Sequence, residues 1–221
     1  MRLSNGEVLL RWPLAQHIIT QGWFYNDGSL HQAIDLRTQL GNTSTQPVYS
    51  AEDGSVDQVQ DWDGHTKTGM QSYGTMVRIK HAPYEGKPLQ TRYAHLSSYC
   101  VKLGQQVKEG DLIGFSGTTG NVFGAHLHFE VLLNGKRTNP LVWLDSDFTT
   151  ASSKVFTYRP GEHSVQQPEQ AASGAQTGQN STGKLQVITI GPVSQGDADA
   201  IYLLCKERGL TNAGLYKSEW S

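Results

Sequence analysis

From Val48 to Leu133 the chain is a succession of short apolar runs, each broken after a few residues by Gly, Asp or Asn. No long helical pattern interrupts the sequence as far as Asp145. That restricts the region to strands and turns, because an amphipathic helix repeats its apolar residues at i, i+3, i+4 and i+7, whereas a strand needs only local alternation. The clearest strands are Val48-Tyr49-Ser50, Val56 to Val59, Met76 to Lys80, Gln90 to Tyr93, Asp111 to Gly114 and Leu127 to Leu133. Between Leu133 and Lys136 stands Asn134-Gly135, a pair suited to a tight hairpin turn. An all-β domain is expected.

One strand carries chemistry. In His126-Leu127-His128-Phe129-Glu130 the two histidines are two apart, so they project from one face, backed by apolar Leu127, Phe129 and Val131. Far upstream, His31 and Asp35 in His31-Gln32-Ala33-Ile34-Asp35 share a face whether the segment is extended or helical. Two imidazoles and a carboxylate are the donors of a zinc site that keeps one position open for water. Such a set points to hydrolysis. A lone His in an apolar strand is ordinarily a packed or surface residue, so the weight rests on both motifs together and on His95, in Arg92-Tyr93-Ala94-His95-Leu96-Ser97.

These pieces, in this order, resemble the lysostaphin-type zinc endopeptidases that cut peptidoglycan peptides. The resemblance runs from about Trp12 to Trp143. It takes in His31 and Asp35, Pro47 to Ala51 with Asp53-Gly54, Tyr73-Gly74, Met76 to His81 and Tyr93 to Leu96. It continues through Val107 to Gly114, Gly117, Thr119 and Gly120 into Gly124 to Glu130, and ends at Asn139-Pro140. Residue by residue, it implies His31, Asp35 and His128 as ligands of one Zn2+ per chain. His95 and His126 become the non-ligand catalytic histidines, and Tyr73 and Tyr93 the substrate-binding candidates. The implied architecture is mainly β, with antiparallel sheets in a barrel-sandwich-like catalytic domain bearing an open groove. The implied activity is hydrolysis of peptide bonds in peptidoglycan stems or cross-bridges. The alternative is a catalytically inactive peptidoglycan-binding or regulatory module on the same fold.

The chain departs from the family pattern at Ala33, where Gly is usual, and in two polar loops, Gly41 to Gln46 and Asp61 to Ser72. Such loops on a rigid sheet are expected to rim a cleft and set specificity. His65, in the second loop, reads as solvated, His17 and His81 as structural, and His163 falls in a linker. The spacing of Val101 to Gly114 is also similar to a biotin- or lipoyl-carrier hairpin, but no modifiable Lys stands at an exposed tight turn.

A formal net charge of −2 leaves no basic stripe for nucleic acid, and Lys and Arg are too scattered for an electrostatic membrane anchor. Nothing reaches the ~20 apolar residues of a membrane span. The N-terminus lacks the apolar core of a secretory signal. For a wall-acting enzyme this implies release by phage-type lysis (an endolysin), carriage on a virion, or a leader already trimmed. Cys100 and Cys205 lie far apart and are expected to be reduced.

The expected organisation is a domain over 1–148, a flexible linker over 149–184 and a small C-terminal βα unit over 185–221. The linker is rich in Ser, Gln, Gly, Thr and Ala, which cannot bury enough apolar surface to offset ordering entropy. Within it, Val155 to Tyr158 could pair back as a last strand. In the final unit, Leu185 to Ile190 reads as a strand and Ala198 to Arg208 as a helix closed by Gly209. A unit so small needs a partner, so wall binding or self-association is expected of it.

Overall fold

The computed structural model describes residues 2–3, 6–152 and 155. All of these belong to the compact unit Met1–Gln167, and the second unit, Pro168–Ser221, lies outside the described residues. The C-terminal βα unit, most of the expected linker, His163 and Cys205 therefore lie outside them too. Cys100 is free and exposed. Among the described residues no helix is long and apolar enough to cross a membrane.

In chain order the strands are β1 (Ile18–Gln21), β2 (Ile34–Arg37), β3 (Pro47–Tyr49), β4 (Gly54–Gln60), β5 (Thr75–His81) and β6 (Leu89–Tyr99). Then follow β7 (Gln106–Val107), β8 (Leu112–Ser116), β9 (His126–Leu133), β10 (Lys136–Thr138) and β11 (Thr149–Thr150). They join in one open sheet of order β11-β1-β2-β9-β6-β5-β4-β7, with β10 on the end of β9 and β8 linking β6 to β3. The pairing of β1 with β11 is parallel. The fold is mainly β, as the short apolar runs require.

Alternation explains how β9 is placed. Leu127, Phe129 and Val131 are fully buried on one face, and burial of each contributes about 1.5–3 kcal/mol. Their neighbours in the core include Ile34 and Leu36 from β2 and Tyr93 from β6. β9 thus lies between β2 and β6 with its apolar face on the core and its histidine face turned the other way. Trp12 and Leu10 from the N-terminal segment, and Trp143 and Leu144 from the end of the domain, join the same core, with Leu10 N–H donating to the Trp143 carbonyl at 2.7 Å.

The six clearest strands read between Val48 and Leu133 are all present, within a few residues at each end. The Asn134-Gly135 turn is a two-residue hairpin between β9 and β10, with φ of 51° and 74°. Two differences matter. The short strands β1 and β2 are only four residues each, too brief for local alternation to mark them. A strand at Thr149–Thr150, at the start of the expected linker, pairs with β1, and Val155 packs against the core, while the rest of the expected strand, 156–158, lies outside the described residues.

Candidate metal centre and active site

The site is assembled by register. Asp35 on β2 and Ala94 on β6 both pair with His128 on β9, one from each side. Strand neighbours stand about 4.8 Å apart, so registered side chains on one face converge. His31 arrives from the loop before β2, where Gln32 takes a left-handed backbone (φ 65°). The result is that donor atoms of His31, Asp35 and His128 all lie within 4.8 Å of one another.

Within this cluster His31 Nε2 is 3.4 Å and His128 Nδ1 3.0 Å from Asp35 Oδ1. Tetrahedral zinc with bonds of about 2.0–2.1 Å sets neighbouring donors roughly 3.3 Å apart, between these two separations. The far edge of each imidazole is already engaged. His31 Nδ1 is 3.0 Å from the Gly22 carbonyl, to which it donates, leaving Nε2 as the free donor atom. His128 Nε2 lies 3.3 Å from Glu130 Oε1. An outer carboxylate or carbonyl on the second nitrogen is what orients a metal-binding imidazole. The donor set fits a divalent metal.

Charge supports the same use. Burial opposes ionisation of Asp35, but the hydrogen bond and charge of His128, with the other imidazoles, outweigh it and hold the carboxyl at about 2. Burial also opposes protonation of His128. The flanking Asp35 and Glu130 carboxylates overcome it and raise the imidazole to about 9. The pocket between these carboxylates thus favours positive charge.

Two further histidines face the cluster. His95 and His126 meet edge to face at 4.9 Å between ring centres, and His95 lies 5.6 Å from His128. His95 sits inside β6 with φ 60°, a strained backbone for a side chain of this size, at a point where the pairing registers shift. Its Nδ1 donates to the Thr119 carbonyl at 2.8 Å, which leaves Nε2 as acceptor. Burial first, then the neighbouring His128 and His126, lowers His95 to about 4, so it is neutral at pH 7. Thr119 is itself pinned, accepting from Thr75 N–H and donating to the Leu96 carbonyl. Gly74 makes this possible, since a Cβ there would stand 2.3 Å from Thr119. His126 Nδ1 is 2.9 Å from the Gly124 carbonyl, and its Nε2 is 3.6 Å from Asp35 Oδ2.

The five His and Asp residues singled out in the sequence therefore come together. Tyr73 also reaches the site, its ring 5.8 Å from His128 and its hydroxyl donating to Glu130 Oε1 at 2.9 Å. Tyr93 does not. It is fully buried, its ring against Phe129 and its hydroxyl accepting from Ala51 N–H, so it is a core residue and not a substrate contact. Its apolar ring follows the inward face of β6, one residue out of phase with Ala94. His17, stacked on Trp12, and exposed His65 beside Asp63 lie elsewhere.

Sequence reasoning missed Glu130. Its buried carboxylate takes Arg92 Nη1 at 2.7 Å, Arg137 Nε at 2.8 Å, the Tyr73 hydroxyl and His128 Nε2. The signal was present, because Glu130 is two residues beyond His128 on the same strand face.

Residues 29–140, a span that includes all five, match the model of peptidase family M23. The chain belongs to that family. Among its relatives, a Haemophilus influenzae protein described as an uncharacterized metalloprotease is 36% identical over 60% of this chain and 26% of its own length. A lipoprotein NlpD/LppB homolog of Pseudomonas aeruginosa is 36% identical over 60% of this chain and 39% of its own. The peptidoglycan DD-endopeptidase ShyA of Vibrio cholerae is 38% identical over 50% of this chain and 22% of its own. The chain matches well under half the length of each of these relatives.

Proposed function

We propose that this M23 chain is a zinc endopeptidase that hydrolyses peptide bonds in the stems or cross-bridges of bacterial peptidoglycan, and that it acts at the cell wall. The observation that carries the reading is the convergence of His31, Asp35 and His128 within 4.8 Å, with His95 and His126 facing them. The peptidoglycan substrate is supported by the endopeptidase relative from Vibrio cholerae.

When bound by His31, Asp35 and His128, zinc supplies a Lewis acid and a water whose pKa falls toward 7. The chain's own residues handle the protons. His95, neutral and with Nδ1–H committed to Thr119, accepts the proton of the attacking water at Nε2 and returns it to the leaving amine nitrogen. His126 is held through Nδ1–H at the Gly124 carbonyl, and as the doubly protonated imidazolium it donates Nε2–H to the negative charge that develops on the carbonyl oxygen. Tyr73 and Arg92 wall the side next to His128, and Tyr73 steadies Glu130 behind it.

The test is metal content of the purified protein together with turbidity loss on a panel of bacterial walls. About one zinc per chain and chelator-sensitive lysis are expected. A folded protein that takes up no zinc even when it is added back would overturn the reading in favour of a wall-binding module. One zinc with no lysis on any wall would remove the substrate assignment and leave the metal site.

A further inference from the structure

Next to the cluster lies a cavity of about 490 Å3 lined by Gln32, Arg92, Leu132, Gly135, Lys136 and Arg137. Its size falls in the ordinary range for small-ligand sites, roughly 300–1,000 Å3. Three of the six lining residues are cationic and none is acidic. Glu130 is the carboxylate that pairs with them among the described residues, binding Arg92 and Arg137. One negative charge against three positive ones leaves two unanswered. The Lys136 side chain is exposed and has no ion-pair partner among the described residues, and Arg92 Nε is buried without a hydrogen-bond partner there.

Arg137 joins this cavity to the cluster. Its Nη1 donates to Gln32 Oε1 at 2.7 Å, immediately after His31 in the chain. Its Nε donates to Glu130 Oε1, the same oxygen that faces His128 Nε2. Lys136 and Arg137 are carried by β10, which the Asn134-Gly135 hairpin pairs with β9, so these two cations stand beside the strand that bears His126 and His128.

We propose that this cavity is a subsite for a free carboxylate of the peptide whose amide is cut at the His/Asp cluster. The ligand class follows from the donors. Guanidinium and ammonium groups only donate, and a planar carboxylate accepts from such forks in charge-assisted hydrogen bonds that are about twice as strong as neutral ones. A carboxamide in the same place would leave the positive charge without a counter-charge. The assignment takes its peptide from the endopeptidase reading above, and the experiment separates the two.

The full-length chain, treated with chelator so that no bond is broken, is titrated at low salt with N-acetyl-D-alanyl-D-alanine and with its C-terminal amide, by calorimetry and backbone NMR. The free acid is expected to bind at least tenfold more tightly, with shifts centred on Gln32, Gly135 and Lys136. Lys136→Gln, a change on an exposed side chain, is expected to shrink that preference several-fold without altering the rest of the spectrum. Equal affinity for acid and amide, shifts centred elsewhere, or no binding of either overturns the subsite. Competition by acetate as strong as by the peptide acid also overturns it, leaving a small-anion site only. Wall lysis by the zinc-loaded protein is scored separately. Lysis without acid preference keeps the peptidase and loses the subsite, while acid preference without lysis keeps the subsite and loses the peptidase.

Discussion

His128 and His81 are both largely buried histidines on strands of one sheet, and their chemistry is opposite. His81 Nδ1 donates to the Asp53 carbonyl at 3.0 Å, and its Nε2 is 2.8 Å from the Thr91 hydroxyl, which is 2.9 Å from that of Tyr93. Every one of these partners is neutral, so burial dominates and lowers His81 to about 4. His128 has a carboxylate at each ring nitrogen, and these lift it to about 9 against the same penalty. Burial alone makes a histidine a neutral packing group. Charged partners make it a place for a cation.

The contrast is broken or sharpened most strongly by removing the charged partner. Asp35→Ala and His128→Ala are expected to lose zinc and reduce wall lysis to background, whereas His81→Gln keeps both. Elemental analysis beside a turbidity assay decides this, and an Asp35→Ala protein holding a full equivalent of zinc would end the distinction. Next in size, His95→Ala is expected to keep its zinc while turnover falls about 10²–10⁴-fold, the usual contribution of a general acid/base. A metal-free His95→Ala protein would make His95 a structural or ligand residue instead.

A smaller effect is expected from Glu130→Gln, which keeps the shape of the residue behind His128 but removes its charge. Zinc affinity, read by competition with a chromophoric chelator, should weaken about 10–100-fold. An unchanged affinity would reduce Glu130 to a packing role. The smallest effect concerns His81 alone. Its folded value lies below the usual 6.5, so between about 6.5 and 4 the unfolded chain binds the proton better. Stability is therefore unpenalised above pH 6.5 and falls as pH drops toward 4. Urea unfolding of chelator-treated wild type and His81→Gln at pH 7 and pH 4.5 isolates the effect. The variant should lose less stability than wild type on acidification, and parallel losses would contradict the assignment.

Much of this was legible before any coordinates. The histidine face of β9 follows from the two-residue period of a strand, and the β9–β10 hairpin from the demand of its turn for positive φ at Asn134 and Gly135. Less legible was anything that depends on partners distant in the chain. Tyr93 and His95 are neighbours in one segment, yet one is core and the other faces the site, because β6 bends at the left-handed His95. Glu130 has one local clue, its two-residue spacing from His128, but its other partners, Tyr73 ahead of β5, Arg92 on β6 and Arg137 on β10, are joined to it by no local pattern.

By itself, then, the sequence determined the strand-rich fold and its apolar faces, and it named the donor residues, because periodicity and residue chemistry act over a few neighbouring positions. Only the tertiary structure decided that Asp35 meets His128 across 93 residues of chain, that Glu130 backs it, and that Tyr93 is core. The physical reason is register. A strand's faces are set by its own alternation, but which side chains share a face with it depends on how neighbouring strands are aligned by the packing of the whole core.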